Sequence, residues 1–146
     1  MGYSRGMSDP ADLAGELRLA VHRLTRRLRQ QGPTNGLTLT QLSALAIVWR
    51  DGPLSAGDLA QREQVRPPSI TRVLTALEQM DLITREGNPN DGRQVLVHMT
   101  PLGDERMRTY VQERERWLAE LLTTLSDEDR DVLHRAALLL EDLAAR

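Results

Sequence analysis

The chain contains no cysteine and no lysine, and aromatic residues make up only 3% of it. Without cysteine there is no disulfide, no thiolate-ligated zinc, no thiol redox switch and no cysteine nucleophile. So few aromatics argue against holding single-stranded nucleic acid by base stacking. No apolar run approaches the ~20 residues of a membrane helix. Met1 to Pro10 has no apolar segment of the secretory type, so a cytoplasmic location is expected. Met1 to Gly6 reads as a loose leader, with Met7 an alternative start. There is no Gly-rich phosphate loop, no convincing carboxylate pair and no Ser/His/Asp arrangement, and an enzyme is not expected. His98 and His134 stand alone, without Glu or His at ligand spacing, so neither a metal nor another cofactor is expected.

What is present is 146 residues of ordinary globular composition, 40% apolar, with a net charge of −2. All 19 basic residues are arginine. Arginine suits bidentate contact with phosphate and guanine. Residues 1–36 carry six Arg against three acids, 37–100 six against seven, and 101–146 seven against eleven. Bulk charge therefore points to no nucleic acid; only the placement of particular arginines can.

Helical periodicity dominates. Leu13, Leu17, Val21, Leu24 and Leu28 form one stripe of a helix from about Ala11 to Gln30, closed by Gly32-Pro33. A second helix opens on the capping box Thr38 to Gln41 and turns inward Leu42, Leu45, Ala46 and Trp49. A third starts at Ser55 and ends near Glu63. A fourth opens on Pro67-Pro68 and buries Ile70, Val73, Leu74 and Leu77. Two strands follow, Leu82 to Arg85 and Gln94 to Met99. The stretch between them, Glu86 to Arg93, reads as a projecting loop too long for a tight hairpin. Thr100-Pro101 starts a helix reaching about Thr124, and Ser126 starts the last.

The expected fold is mainly α with a small β-hairpin wing: a winged helix-turn-helix whose N- and C-terminal helices form a dimerisation lobe. The expected boundaries are a flexible 1–10 and a single domain over 11–146. Within it, 37–100 form the winged lobe, and 11–36 with 101–146 the helical lobe. In a helix-turn-helix the second helix enters the major groove with its N-terminal residues nearest the bases. Those residues here are Pro67, Pro68, Ser69, Thr71 and Arg72, and Thr75, further along, is a candidate with Ser69 and Thr71 for bases or phosphates. Arg72 suits guanine, a contact worth ~1–3 kcal/mol of discrimination. Ser55, at a helix start, and Arg66 are phosphate candidates. Arg93 is placed for a narrow minor groove.

The run from Leu77 to Arg85, then Asp91-Gly92-Arg93, then Val95 to Gly103, resembles the signature of the MarR family of transcription regulators. That signature places Asp-x-Arg in the wing and Leu-Thr-x-x-Gly at the next helix start. Met99 replaces the Leu, and Asp81 stands where many members have Gly. Asp tolerates the left-handed cap such a position needs. The resemblance spans roughly Leu13 to Leu143. It implies that Arg93 is the minor-groove residue, that Asp91 orients it through a salt bridge, and that Ser69 and Arg72 face the major groove. It also implies a homodimer on a palindromic double-stranded operator, with no membrane partner.

Family members commonly bind small aromatic or phenolic anions and release DNA. The implied effector residues are Arg18, His22, Gln41, Leu45, Trp49 and Arg66. Two alternatives stay open: a regulator without a ligand, and a helical protein-interaction adaptor on a winged scaffold.

Overall fold

The computed structural model describes residues 9–146. The expected leader, Met1 to Gly6, lies outside the described residues. The chain forms six helices and a three-stranded antiparallel sheet among the described residues. The elements are α1 (Pro10–Arg29), α2 (Leu39–Asp51), β1 (Leu54–Ser55), α3 (Ala56–Glu63), α4 (Pro67–Gln79), β2 (Ile83–Asn88), β3 (Asp91–Met99), α5 (Pro101–Leu122) and α6 (Asp127–Ala144). No helix among the described residues is long and apolar enough to cross a membrane.

Local chemistry sets the boundaries. Asp9 caps α1 by accepting the Ala11 N–H, and Pro10 fills the first helical position. The capping box of α2 is complete. Thr38 Oγ1 accepts the Gln41 N–H at 3.2 Å, and Gln41 Oε1 accepts the Thr38 N–H at 2.9 Å. Asp81 does adopt the left-handed conformation after α4, with φ 57°. Its N–H donates to Glu78 O, and the Leu82 N–H donates to Leu77 O. That is the Schellman pattern, sealed by two fully buried leucines, Leu77 and Leu82.

The structure divides into two compact units. One comprises the described residues through Gly32 together with Arg114–Arg146; the other is Pro33–Glu113. The division falls inside α5, not at Pro101 as the sequence suggested. Met107, 2% exposed, belongs to the core of the second unit, which explains the shift. That core also holds Leu45, Leu59, Ile70, Leu74 and Val97, all nearly or wholly inaccessible. In the helical unit the opposite holds: neither α1 nor α6 has a buried residue.

Two strand expectations need correction. The sheet has a third strand, β1, in which Leu54 pairs with Val97 and Ser55 with Leu96. Two residues carry too little pattern to be read in advance. The supposed long loop is mostly strand, since β2 and β3 continue to Asn88 and Asp91 and leave only Pro89-Asn90 between them. Near this tip the side chains are largely exposed, so no in–out alternation marked the pairing.

Candidate nucleic-acid interface

α3 and α4 are joined by Gln64, Val65 and Arg66. Gln64 takes the left-handed conformation, φ 54°, which ends α3 and allows the tight turn into α4. Ile70, Leu74 and Leu77 bury the inner face of α4, leaving Pro68, Ser69, Thr71 and Arg72 exposed and Thr75 half-buried. Thr71 donates its hydroxyl to Pro67 O at 3.0 Å, and Thr75 donates to Thr71 O at 2.9 Å. Both oxygens thus keep lone pairs for a base amino group, and their protons are already engaged.

The start of α4 has few amides to give. Pro67 and Pro68 have none, and the Ser69 and Ile70 N–H groups donate to Arg66 O. A helix N-terminus is ordinarily a phosphate cradle. This one must use side chains instead. Ser55 is likewise not a surface group: it is 6% exposed, lies in β1 and accepts the Asp58 N–H at 3.0 Å. Its hydroxyl accepts as the cap of α3 and keeps its own proton, but its low exposure leaves little access for a phosphate.

The six arginines of residues 37–100 divide evenly. Arg62 and Arg50 pair with Asp51 at 2.6 and 3.3 Å, and Arg85 pairs with Glu78 at 2.5 Å. Arg66, Arg72 and Arg93 are exposed and form no side-chain hydrogen bond or ion pair among the described residues. The segment's net charge therefore does not show where its free arginines lie. Acids such as Asp51 and Glu78 are spent on three arginines, and the three free ones are those placed on the connection, the fourth helix and the wing. The Arg85 guanidinium hydrogen-bonds Glu78 and holds its carboxyl below the ordinary value of 4.5. This ion pair ties β2 to α4 and was not read from the sequence. The pair is seven residues apart and crosses from helix to strand, so no helical spacing announces it.

The wing pair differs from expectation. Asp91 Oδ1 accepts the backbone N–H of Arg93 at 3.0 Å, and no ion pair joins the two side chains. Asp91 closes a turn, and the guanidinium remains free. Of the effector candidates, Arg18 and His22 lie exposed on α1 in the helical unit. Gln41 is committed to its capping box. Leu45 is fully buried in the core. Trp49 is 36% exposed and donates its indole N–H to Asp104 Oδ1 at 2.8 Å. It lines a cavity of about 410 Å³ with Ala46, Arg50, Met107, Tyr110 and Val111. Trp117, by contrast, lies under Arg27, whose guanidinium carbon is 5.2 Å from the ring centre.

Gly103 explains the helix-start motif after the wing. Thr100 Oγ1 accepts the Gly103 N–H at 3.0 Å and donates to Asp81 O at 2.6 Å. A side chain at Gly103 would overlap the Leu82 carbonyl. The motif is thus a cap and a close approach that lock α5 to the end of the fourth helix.

Known proteins share this arrangement. The MarR family model matches residues 37–95. An uncharacterised HTH-type transcriptional regulator of Mycobacterium leprae is 44% identical over 137 residues, 94% of this chain and 96% of that protein. A MarR family protein from Bacillus stearothermophilus superposes with a TM-score of 0.81 at 24% identity, over 93% of this chain and 95% of the other. A Staphylococcus aureus MepR variant, solved bound to an oligodeoxyribonucleotide, superposes at 0.64 with 21% identity, over 91% of this chain and 96% of its own. With the helix-turn-helix, the wing and the Thr100–Gly103 cap all in place, the chain belongs to the MarR family of HTH-type transcriptional regulators.

Proposed function

We propose that the chain is a repressor that binds an inverted repeat in double-stranded DNA as a homodimer and is released by a small aromatic anion. The observation that carries the DNA reading is the set of three unpaired arginines, Arg66, Arg72 and Arg93, in a segment whose other arginines are all paired. Arg72 and Ser69 face the major groove, with the Pro68 ring available to a thymine methyl. Thr71 and Thr75 accept from base amino groups, Arg66 meets phosphate, and Arg93, presented by Asp91, enters the minor groove. The oligonucleotide complex of the MepR variant supports DNA as the partner of this fold.

The helical unit supports the dimer. Leu13, Leu24, Val132, Leu139 and Leu143 are between 42% and 66% exposed, far more apolar surface than a monomer normally leaves in water. A groove of about 430 Å³ lined by Leu24, Leu118, Leu122, Leu133 and Leu140 lies in the same unit. A second copy covers both. Two recognition helices then read half-sites one helical turn, ~10 bp, or a multiple apart. The cavity beside Trp49 is apolar with Arg50 on its wall, a fit to an aromatic acid. Such a ligand releases DNA only insofar as it binds the two arrangements of the dimer with different affinity.

The test is binding to a duplex selected from a random pool, for the wild type and Arg93→Ala. Six arginine contacts per dimer give a slope of log affinity against log salt of about −5. Arg93→Ala lowers both affinity and slope. Enrichment of no sequence, with affinity unchanged by the substitution, would transfer the reading to a protein-interaction adaptor. For the effector, hydroxybenzoates are screened by thermal shift. Saturation at a hundred times Kd raises Tm by about 5–10 °C. Trp49→Ala removes that rise.

A further inference from the structure

The wing tip is not a plain hairpin. Pairing runs in one register from Ile83 opposite Met99 to Gly87 opposite Val95. It resumes at Asn88 opposite Asp91, one step along β2 and four along β3. Gly92, Arg93 and Gln94 are therefore surplus to the ladder and bow out of it. Three hydrogen bonds hold the bow. Asp91 Oδ1 accepts the Arg93 N–H at 3.0 Å, Asn88 Oδ1 accepts the Asn90 N–H at 3.0 Å, and Asn88 Nδ2 donates to Gln94 Oε1 at 2.9 Å.

Asn88 occupies the centre of this arrangement. It is half-buried, while Arg93 and Gln94 are exposed. Both ends of its amide are committed inside the wing, one to the turn and one to the far side of the bulge. A three-residue bulge containing glycine would otherwise sample many shapes. Ordering it on DNA would then subtract from affinity. We propose that Asn88 is a positioning residue for DNA recognition: by clamping Gln94 it holds the bulge in one shape and sets how far Arg93 reaches into the minor groove. The inference rests on the reading of Arg93 as a DNA contact, and adds to it a residue that need not touch DNA.

The test uses the full chain and a duplex it selects from a random pool, with affinity measured over a series of salt concentrations. Asn88→Ser keeps an oxygen near Asn90 and loses the reach to Gln94. Gln94→Ala opens the clamp from the other side. The pair and each single substitution are made with and without Arg93→Ala, and urea midpoints confirm that every variant folds. None of the clamp substitutions changes charge. Each single variant is expected to weaken binding about three- to tenfold, and the double no further, because both remove one interaction. The salt slope falls toward that of Arg93→Ala although no charge has been lost. In the Arg93→Ala background the clamp substitutions have no effect.

Additive losses with an unchanged salt slope would mean that Asn88 and Gln94 contact DNA themselves, which overturns the clamp. So would unaltered affinity in both single variants. If Arg93→Ala itself changes nothing, or no duplex is selected, the reading of the wing as a DNA contact fails first, and the clamp falls with it.

Discussion

A methyl group added at Gly103 would press into the Leu82 carbonyl and lie 2.5 Å from the Met99 sulfur. Replacing glycine by alanine inside a helix ordinarily stabilises by about 0.5–1 kcal/mol. Here the close approach reverses the sign, and Gly103→Ala is expected to lose roughly 1–3 kcal/mol, read as a lower urea midpoint with unchanged slope. Asp81→Gly should move the other way, gaining about 0.5–1 kcal/mol, because φ 57° costs a side chain what glycine does not feel. The left-handed cap at Asp81 was legible through the family resemblance, since many members have Gly there and Asp is one of the few residues that tolerates the same conformation. The bond made by Asp91 was not. The spacing Asp-x-Arg serves a side-chain ion pair or a turn that accepts the N–H two residues on, and only the backbone path decides between them.

Among the elements, the ion pair between Glu78 on α4 and Arg85 on β2 links the recognition helix to the wing. Its carboxyl is lowered by Arg85, so the pair contributes stability above the ordinary value of 4.5 and loses it as pH falls through the lowered value. The stability difference between wild type and Glu78→Gln should therefore be present at pH 7 and shrink as acidification passes below the ordinary value of 4.5. It should also shrink in high salt, because both groups are partly exposed. A difference that instead grows with acid would contradict this account. The helices were readable almost to the residue, because capping groups and apolar stripes mark them twice over. The sheet was readable only where one face is buried. Beyond Arg85 the strands are held by backbone pairing and by Asn88, which hydrophobic alternation cannot report.

For the whole molecule, the two units differ in what they bury. The winged unit closes its own core around Leu45, Leu59, Ile70 and Leu74. The helical unit leaves Leu139 66% exposed and Leu143 56% exposed. On a monomer, Leu139→Glu would be neutral or mildly helpful. On the proposed dimer it should lower Tm, abolish the dependence of Tm on protein concentration, and shift sedimentation to the monomer. The division within α5 was invisible beforehand, since Met107 looks like any other apolar residue of a long helix until the core it enters is known. The two prolines that open α4 matter at this scale too. Random DNA detains a protein chiefly through its phosphates. A helix with almost no amide hydrogens at its leading end leaves that grip to arginine side chains such as Arg66 and Arg72, so the hold on wrong sequences should fade steeply as salt rises. How much of the regulator a genome's decoy sites sequester would then be set largely by ionic strength.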